Sequence, residues 1–280
     1  MIPKIRYSNQ NHSTRLVEKE GVVYISFPIF ERYGLVHAFS TRLGGVSTGH
    51  LSSMNLSFSR GDDDANVREN YKRIGKAIGF SPERLVFSDQ IHETMIYQVQ
   101  KEDAGKGYQT EKLLGNDGLV TKEREIPLVT FYADCVPLFF YDPVQRVIGM
   151  AHAGWRGTVG RIGEKMVHTM QQSYDSKPEH IIAVIAPSIC KDCYEISEDV
   201  AKQFKEQFVE FEQSEYLYEK FDGKYQLDLW KVNELVLLQA GIQKENLAIT
   251  DLCTCCNKEL LFSHRASQGK RGNLAGFMML

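Results

Sequence analysis

The chain has 280 residues and carries 33 Lys and Arg against 36 Asp and Glu, a formal net charge of -3. That balance gives no general electrostatic case for nucleic acid or an anionic membrane as partner. A composition of 42% hydrophobic and 25% charged residues excludes a disordered or fibrous chain.

No segment has the length of a transmembrane span, and the start MIPKIRYSNQ lacks the apolar core of a signal peptide, so a cytoplasmic location is expected. In a reducing cytosol the six cysteines read as free thiols or ligands, not as disulfides. No repeat, low-complexity tract or linker divides the chain, and a single domain over residues 1–280 is expected.

In chain order, residues 22–27 (VVYISF) and 35–41 (LVHAFST) predict strands, being rich in β-branched and aromatic side chains. The Gly-, Ser- and Asn-rich stretch 42–60 predicts a long shaped loop, uncommon unless it has a task. Acids at 62–64 start a helix running to about Ile78, with Gly79 as its stop. Strands follow near 84–88, 95–99, 117–121 and 127–132. The run IPLVTFYADCVPLFFYD is too apolar for a half-exposed strand, and Pro137 is expected to divide it. Residues 146–152 predict another buried strand, and the Gly-Trp-Arg-Gly turn leads to a helix over 158–174. A strand at 180–186, helices near 197–210 and 228–240 and a strand at 246–251 complete the pattern. This alternation predicts an α/β or α+β layered fold with mixed sheets.

Three strand ends carry metal-binding chemistry: Gln90-Ile91-His92, Ala133-Asp134-Cys135 and the segment AHAGWRG that contains His152. Two imidazoles and a thiolate suit zinc, and three protein ligands leave one coordination position for water or substrate. Each residue also has a plainer reading. Cys135 reads equally as a buried structural thiol, and either histidine as a satisfied core residue. Arg42, beside a Gly-Gly turn, and Arg156, at a helix start, are candidate anion contacts, though a lone arginine more often braces a loop. Asp134 is a candidate to orient a histidine or move a proton, or is simply a turn acid. Cys190 and Cys193 form a C-x-x-C without the usual helix-start context. Adjacent Cys255 and Cys256 do not make a ready knuckle, so both cysteine groups read as structural.

The ordered motifs STRLGGVSTG, QIH, DGLVT, ADCVPLFFYDP, AHAGWRGT, APSI, CYEIS and SHR, from about residue 35 onward, resemble the YfiH/YlmD family. That family was first described as laccase-like polyphenol oxidases and is now understood as purine nucleoside phosphorylases. The resemblance implies a layered α/β/β/α sandwich with mixed sheets. It implies one zinc, with copper as the alternative metal, held by His92, Cys135 and His152. It further implies phosphorolysis of adenosine, inosine, guanosine and methylthioadenosine, with deamination of adenosine as a second activity. The partners are then small purine nucleosides and phosphate, with no nucleic acid and no membrane. Arg42, Arg156 and Arg265 become candidate substrate contacts, and Asp134 a candidate proton carrier. The tail departs from the family, with Ala266 and Asn273 standing where arginines are common and Lys270 and Arg271 as the neighbouring cations. The competing classes are a copper-dependent polyphenol oxidase, a cysteine hydrolase using Cys135, and a non-catalytic binding protein.

Overall fold

The computed structural model of the protein describes residues 2–280. Glu20 and Gly21, with φ of 53° and 74°, fold β1 (Arg15–Lys19) back onto β2 (Val22–Ser26) as an antiparallel hairpin. Two positive φ values in a row match the strand twist and so favour this tight connection. The single turn α1 (Pro28–Glu31) leads to β3 (Val36–Ser40), antiparallel to β2. Helix α2 (Asp64–Ile78) begins at Asp63, whose carboxylate accepts the Ala65 N–H, and ends at Gly79 in the left-handed conformation. Strands β4 (Val86–Phe87), β5 (Ile96–Gln98), β6 (Gly118–Thr121) and β7 (Leu128–Tyr132) follow.

Next, β8 (Val136–Asp142) and β9 (Val147–Ala153) pair from Val136 opposite Ala153 to Asp142 opposite Val147, and both strands are wholly buried. Helices α3 (Trp155–Val159) and α4 (Ile162–Tyr174) precede β10 (Ile182–Ile185). A small sheet then forms from β11 (Glu195–Ile196), β12 (Leu217–Glu219) and β13 (Tyr225–Leu227), with α5 (Glu198–Gln207) between its first two strands. The chain continues through α6 (Leu229–Gln239), β14 (Leu247–Ile249), the short α7 (His264–Ser267) and β15 (Leu274–Met279).

Two six-stranded sheets result, ordered β1-β2-β3-β15-β7-β4 and β14-β10-β8-β9-β6-β5. Both are mixed, with parallel pairing at β4–β7, β5–β6 and β10–β14. They share one buried interior, in which Phe39, Leu128, Tyr132 and Met278 of the first sheet meet Phe139, Ile148, Met150 and Ile182 of the second. Helix α2 covers the outer face of the first sheet, packing Val67, Tyr71 and Ile74 with Ala38, Val129 and Phe277. On the outer face of the second sheet, Met166 and Val167 of α4 and Leu237 of α6 pack with Leu138, Ala151 and Ala183. The order helix, sheet, sheet, helix is the α/β/β/α sandwich expected from the sequence, and each face gains by burying its apolar side. Among the described residues no helix is long and apolar enough to cross a membrane.

Three local features differ from the sequence reading. The helix expected over 158–174 is two helices, because Arg161 adopts φ 57° between them. Its guanidinium is fixed there by Glu164 and Glu210, at 2.8 and 2.7 Å. The apolar run of residues 126–142 is divided at Asp134, which has φ 97°, while Pro137 lies inside β8 opposite His152. A proline is tolerated there because it falls at the start of the strand. Finally, β15 lies between β3 and β7 in the first sheet, where the sequence reading saw only a basic tail.

Candidate metal centre and active-site cavity

His92, Cys135 and His152 converge, with their three donor atoms within 4.8 Å of one another. Each arrives from a different backbone feature. His92 sits after β4 with φ 65°, Cys135 follows the left-handed Asp134, and His152 is the penultimate residue of β9. The two imidazole rings are nearly perpendicular, with centroids 4.9 Å apart. Gly154 closes the far side: a Cβ there would lie 3.2 Å from Cys135 Sγ and 3.4 Å from His92 Cδ2. His92 is exposed, Cys135 half-buried and His152 buried.

Asp117, at the start of β6, organises the cluster. Its carboxylate accepts the backbone N–H groups of Ile91, His92 and Glu93 at 3.1, 3.1 and 2.9 Å, holding the unusual backbone of His92. The same carboxylate accepts His152 Nδ1–H at 2.8 Å, so Nε2 is left as the free donor. Such carboxylate–histidine contacts fix the tautomer and orientation of a metal-binding imidazole. Burial pushes the Asp117 carboxyl up, but His152 and the N–H groups of Glu93 and Ile91 outweigh it and hold it below the ordinary range. For Cys135, burial also raises the thiol, yet the adjacent His152 and His92 bring it down to about 6. Burial lowers His152, while Cys135 and Asp117 raise it to about 9. Without a metal the pair is therefore thiolate and imidazolium at neutral pH.

The cluster forms part of the wall of a cavity of about 440 Å³. Phe58, Phe87, Phe131 and Tyr132 give this cavity flat apolar walls, and Arg60 and Arg271 give it positive charge, while Lys112 is ion-paired with Asp89, which also lines it. Arg60 Nε donates to Asn273 Oδ1 at 3.2 Å, and Arg271 Nη1 donates to the same oxygen. Two guanidinium groups are thus gathered on one amide. Burial, with Arg60 adding to it, lowers the Arg271 guanidinium to about 10. Its Nε is buried and has no hydrogen-bond partner among the described residues. Arg271 is half-buried, and its Nη1 also donates to the Gly272 carbonyl at 3.3 Å, so Nε is the one guanidinium nitrogen shown to be buried without a partner.

The sequence model of the family described as multi-copper polyphenol oxidoreductase laccase matches residues 36–280. The chain belongs to that family. Purine nucleoside phosphorylase YlmD of Bacillus subtilis (strain 168) is 38% identical to it over 247 residues, spanning 87% of this chain and 88% of that protein. Among solved structures, the hypothetical protein YfiH of Bacillus licheniformis matches with a TM-score of 0.89 at 32% identity, covering 96% of this chain and 99% of that one. YlmD from Geobacillus stearothermophilus matches with a TM-score of 0.87 at 35% identity, covering 92% and 96%. The family match of this YfiH/YlmD-type chain begins at β3 and includes the three donors, Asp117 and the cavity lining.

Of the basic residues singled out from sequence, Arg271 lines the cavity, whereas Arg42, Arg156, Arg265 and Lys270 lie outside its lining. Arg42 is outside the cavity lining: its Nε and Nη1 donate to the carbonyls of Ser52 and Lys258 at 2.8 and 2.9 Å, over the ring of Phe262. The neighbouring glycines serve close packing, since a Cβ on Gly45 would meet Ser53 O at 2.2 Å. Arg156 stacks on Trp155, 4.2 Å from the ring centroid, and Arg265 donates to the carbonyls of Cys193 and Glu195 at 3.2 and 2.9 Å; neither lines the cavity. Asp134 touches neither histidine of the cluster. Its two oxygens accept Thr254 Oγ1–H at 2.6 Å and the Arg265 N–H at 2.7 Å, which locks the turn before Cys135. Lys270 lies in a separate pocket of about 190 Å³ with Arg42 and His50, whereas Arg271 reaches both pockets. Asn273, at a position where family arginines are common, is the group that gathers Arg60 and Arg271. Asp117, Arg60, Lys112 and Asn273 had no role in the sequence reading, although Asp117 stands in the DGLVT motif at a strand start.

Proposed function

We propose that the chain is a zinc-dependent purine nucleoside phosphorylase. It would convert adenosine, inosine, guanosine or methylthioadenosine, with phosphate, to the free base and ribose 1-phosphate, and would deaminate adenosine hydrolytically as a second activity. The observation that carries the reading is one cavity joining a His-Cys-His donor set, aromatic walls and a paired-arginine anion site. The name borne by the B. subtilis relative supports the same choice. Six unpaired cysteines support a cytoplasmic setting.

The donor set of two imidazole nitrogens and one thiolate fits zinc, with a fourth position left open. Zinc there supplies Lewis acidity toward whatever group fills that position. The protein's own residues would do the rest. Arg60 and Arg271 would hold phosphate through charge-assisted hydrogen bonds, with the unpartnered Nε of Arg271 as one donor. Phe58, Phe87 and Phe131 would hold the flat base and exclude water around the glycosidic bond. Asp117 would keep His152 Nε2 and His92 aimed at one point, and Asp134 would fix the Cys135 turn. Arg42, Arg156 and Arg265, braced on backbone carbonyls or on Trp155, would support loops instead of touching phosphate.

The test is to incubate zinc-quantified protein with adenosine, with and without phosphate. Adenine and ribose 1-phosphate released only with phosphate, plus phosphate-independent inosine, are expected. Neither product, together with phenol oxidation by copper-loaded protein, would replace this reading with the oxidase. Stoichiometric alkylation of Cys135 in zinc-loaded protein, with no product, would replace it with a cysteine hydrolase.

A further inference from the structure

Two C-x-x-C pairs, far apart in sequence, meet outside the cavity. Cys190 and Cys193 flank the tight turn after β10, and Cys253 and Cys256 flank the turn after β14. All four Sγ atoms lie within 4.8 Å of one another, and Cys193 Sγ is 3.5 Å from Cys256 Sγ. Cys255, which made the second group look unsuited to a knuckle, lies beside Cys193 but outside the four whose sulfurs are all mutually close. The backbone N–H groups of Cys190 and Cys256 donate to Cys253 Sγ at 3.2 and 3.4 Å.

We propose that Cys190, Cys193, Cys253 and Cys256 bind a second zinc ion in a closed four-thiolate site. Four sulfurs, each about 2.3 Å from one ion, sit about 3.8 Å apart, and that spacing lies close to the one observed here. N–H groups aimed at sulfur stabilise thiolates in such centres. The Arg265 guanidinium, bonded to the Cys193 carbonyl at 3.2 Å, sets a positive charge beside the negatively charged cluster. With four protein ligands no position remains for substrate, so this zinc holds structure. What it holds is the turn leading to Cys135. Asp134 accepts Thr254 Oγ1–H from within one cysteine pair, and its carbonyl accepts the Ile189 N–H, one residue before the other pair, at 3.0 Å. The second zinc is thus a positioning element for the first centre.

The test is metal analysis of reduced, zinc-loaded full-length protein. Wild type should hold about two zinc ions per chain, and C135A and C253S/C256S about one each. C135A loaded with cobalt should show the intense thiolate-to-metal absorption of a four-sulfur site, a readout that does not depend on C253S/C256S folding. Wild-type protein with one zinc that is lost in C135A, cobalt-loaded C135A without that absorption, iron with sulfide in place of zinc, or, in protein purified from the cytosol without added reductant, an intact mass about 2 Da lighter per bridge would each overturn the assignment.

Discussion

Asp117 ties the backbone of one donor to the side chain of another, and its effect should be measurable without any turnover. Asp117→Asn keeps the size of the side chain but removes its charge, and zinc affinity at the His92-Cys135-His152 centre should fall about 10- to 100-fold. Competitive chelator titration reads this, and an unchanged affinity would assign Asp117 to folding alone. The same centre has a definite pH response. In the metal-free protein Cys135 is a thiolate above about 6 and His152 keeps its proton up to about 9. Between pH 7 and 9 metal binding must therefore expel the His152 proton, so affinity should rise with pH by about tenfold per unit. A flat profile across that window would mean that His152 is not a ligand.

At the scale of elements, the loop of residues 42–60 and the segment before β15 build the proposed anion site jointly. Asn70 of α2 pins the loop: its Oδ1 accepts the Val46 N–H, and its Nδ2 donates to Ser47 Oγ and the Asn55 carbonyl, at 2.8, 2.9 and 2.8 Å. Asn55 Oδ1 in turn accepts the Asn273 N–H at 3.0 Å, which aligns Arg60 with Arg271. Arg271→Ala should raise the KM for phosphate about 10- to 100-fold, as expected for loss of a charged hydrogen bond. Arg42→Ala should leave that KM within about twofold, since Arg42 serves carbonyls away from the cavity. Steady-state kinetics with phosphate varied decides between the two arginines, and the reverse ranking would return Arg42 to the anion site. The strand-end positions of His92, Cys135 and His152 left structural readings open in the sequence, since no two of them are local, and it was the family resemblance that singled out the set the structure brings together. Arg271 was legible as one cation of a basic tail, but its pairing with Arg60 was not, because nothing local in either residue announces a shared partner at Asn273. Arg42 drew attention through its glycines, whose cause is steric. The strand β15 was missed because LAGFMM is short, contains glycine and follows a run of polar and basic residues.

For the whole molecule, a layered fold with mixed sheets was legible from the alternation of strands and helices and the four layers from the family resemblance, while the sheet order depends on long-range pairing that periodicity does not encode. Both sheets contribute to one interior, with Phe39 and Tyr132 facing Phe139 and Met150. Neither sheet can lose its partner without exposing that surface, so residues 1–280 should unfold as a single domain. Denaturant unfolding followed by tryptophan fluorescence and by far-ultraviolet circular dichroism should give coincident transitions. Two separated transitions would divide the chain into independent units.

The central place of β15 also has a consequence for synthesis on the ribosome. β3 and β7 emerge long before residues 274–279, and β15 is the strand that joins them, antiparallel to both. During elongation each presents an open edge, the feature through which nascent chains aggregate or recruit chaperones. Arg271 and Asn273 emerge in the same late interval, so the sheet and the anion site are completed together. A nascent chain still short of β15 has His92, Cys135 and His152 but neither a closed first sheet nor the arginine of the proposed phosphate site that precedes this strand.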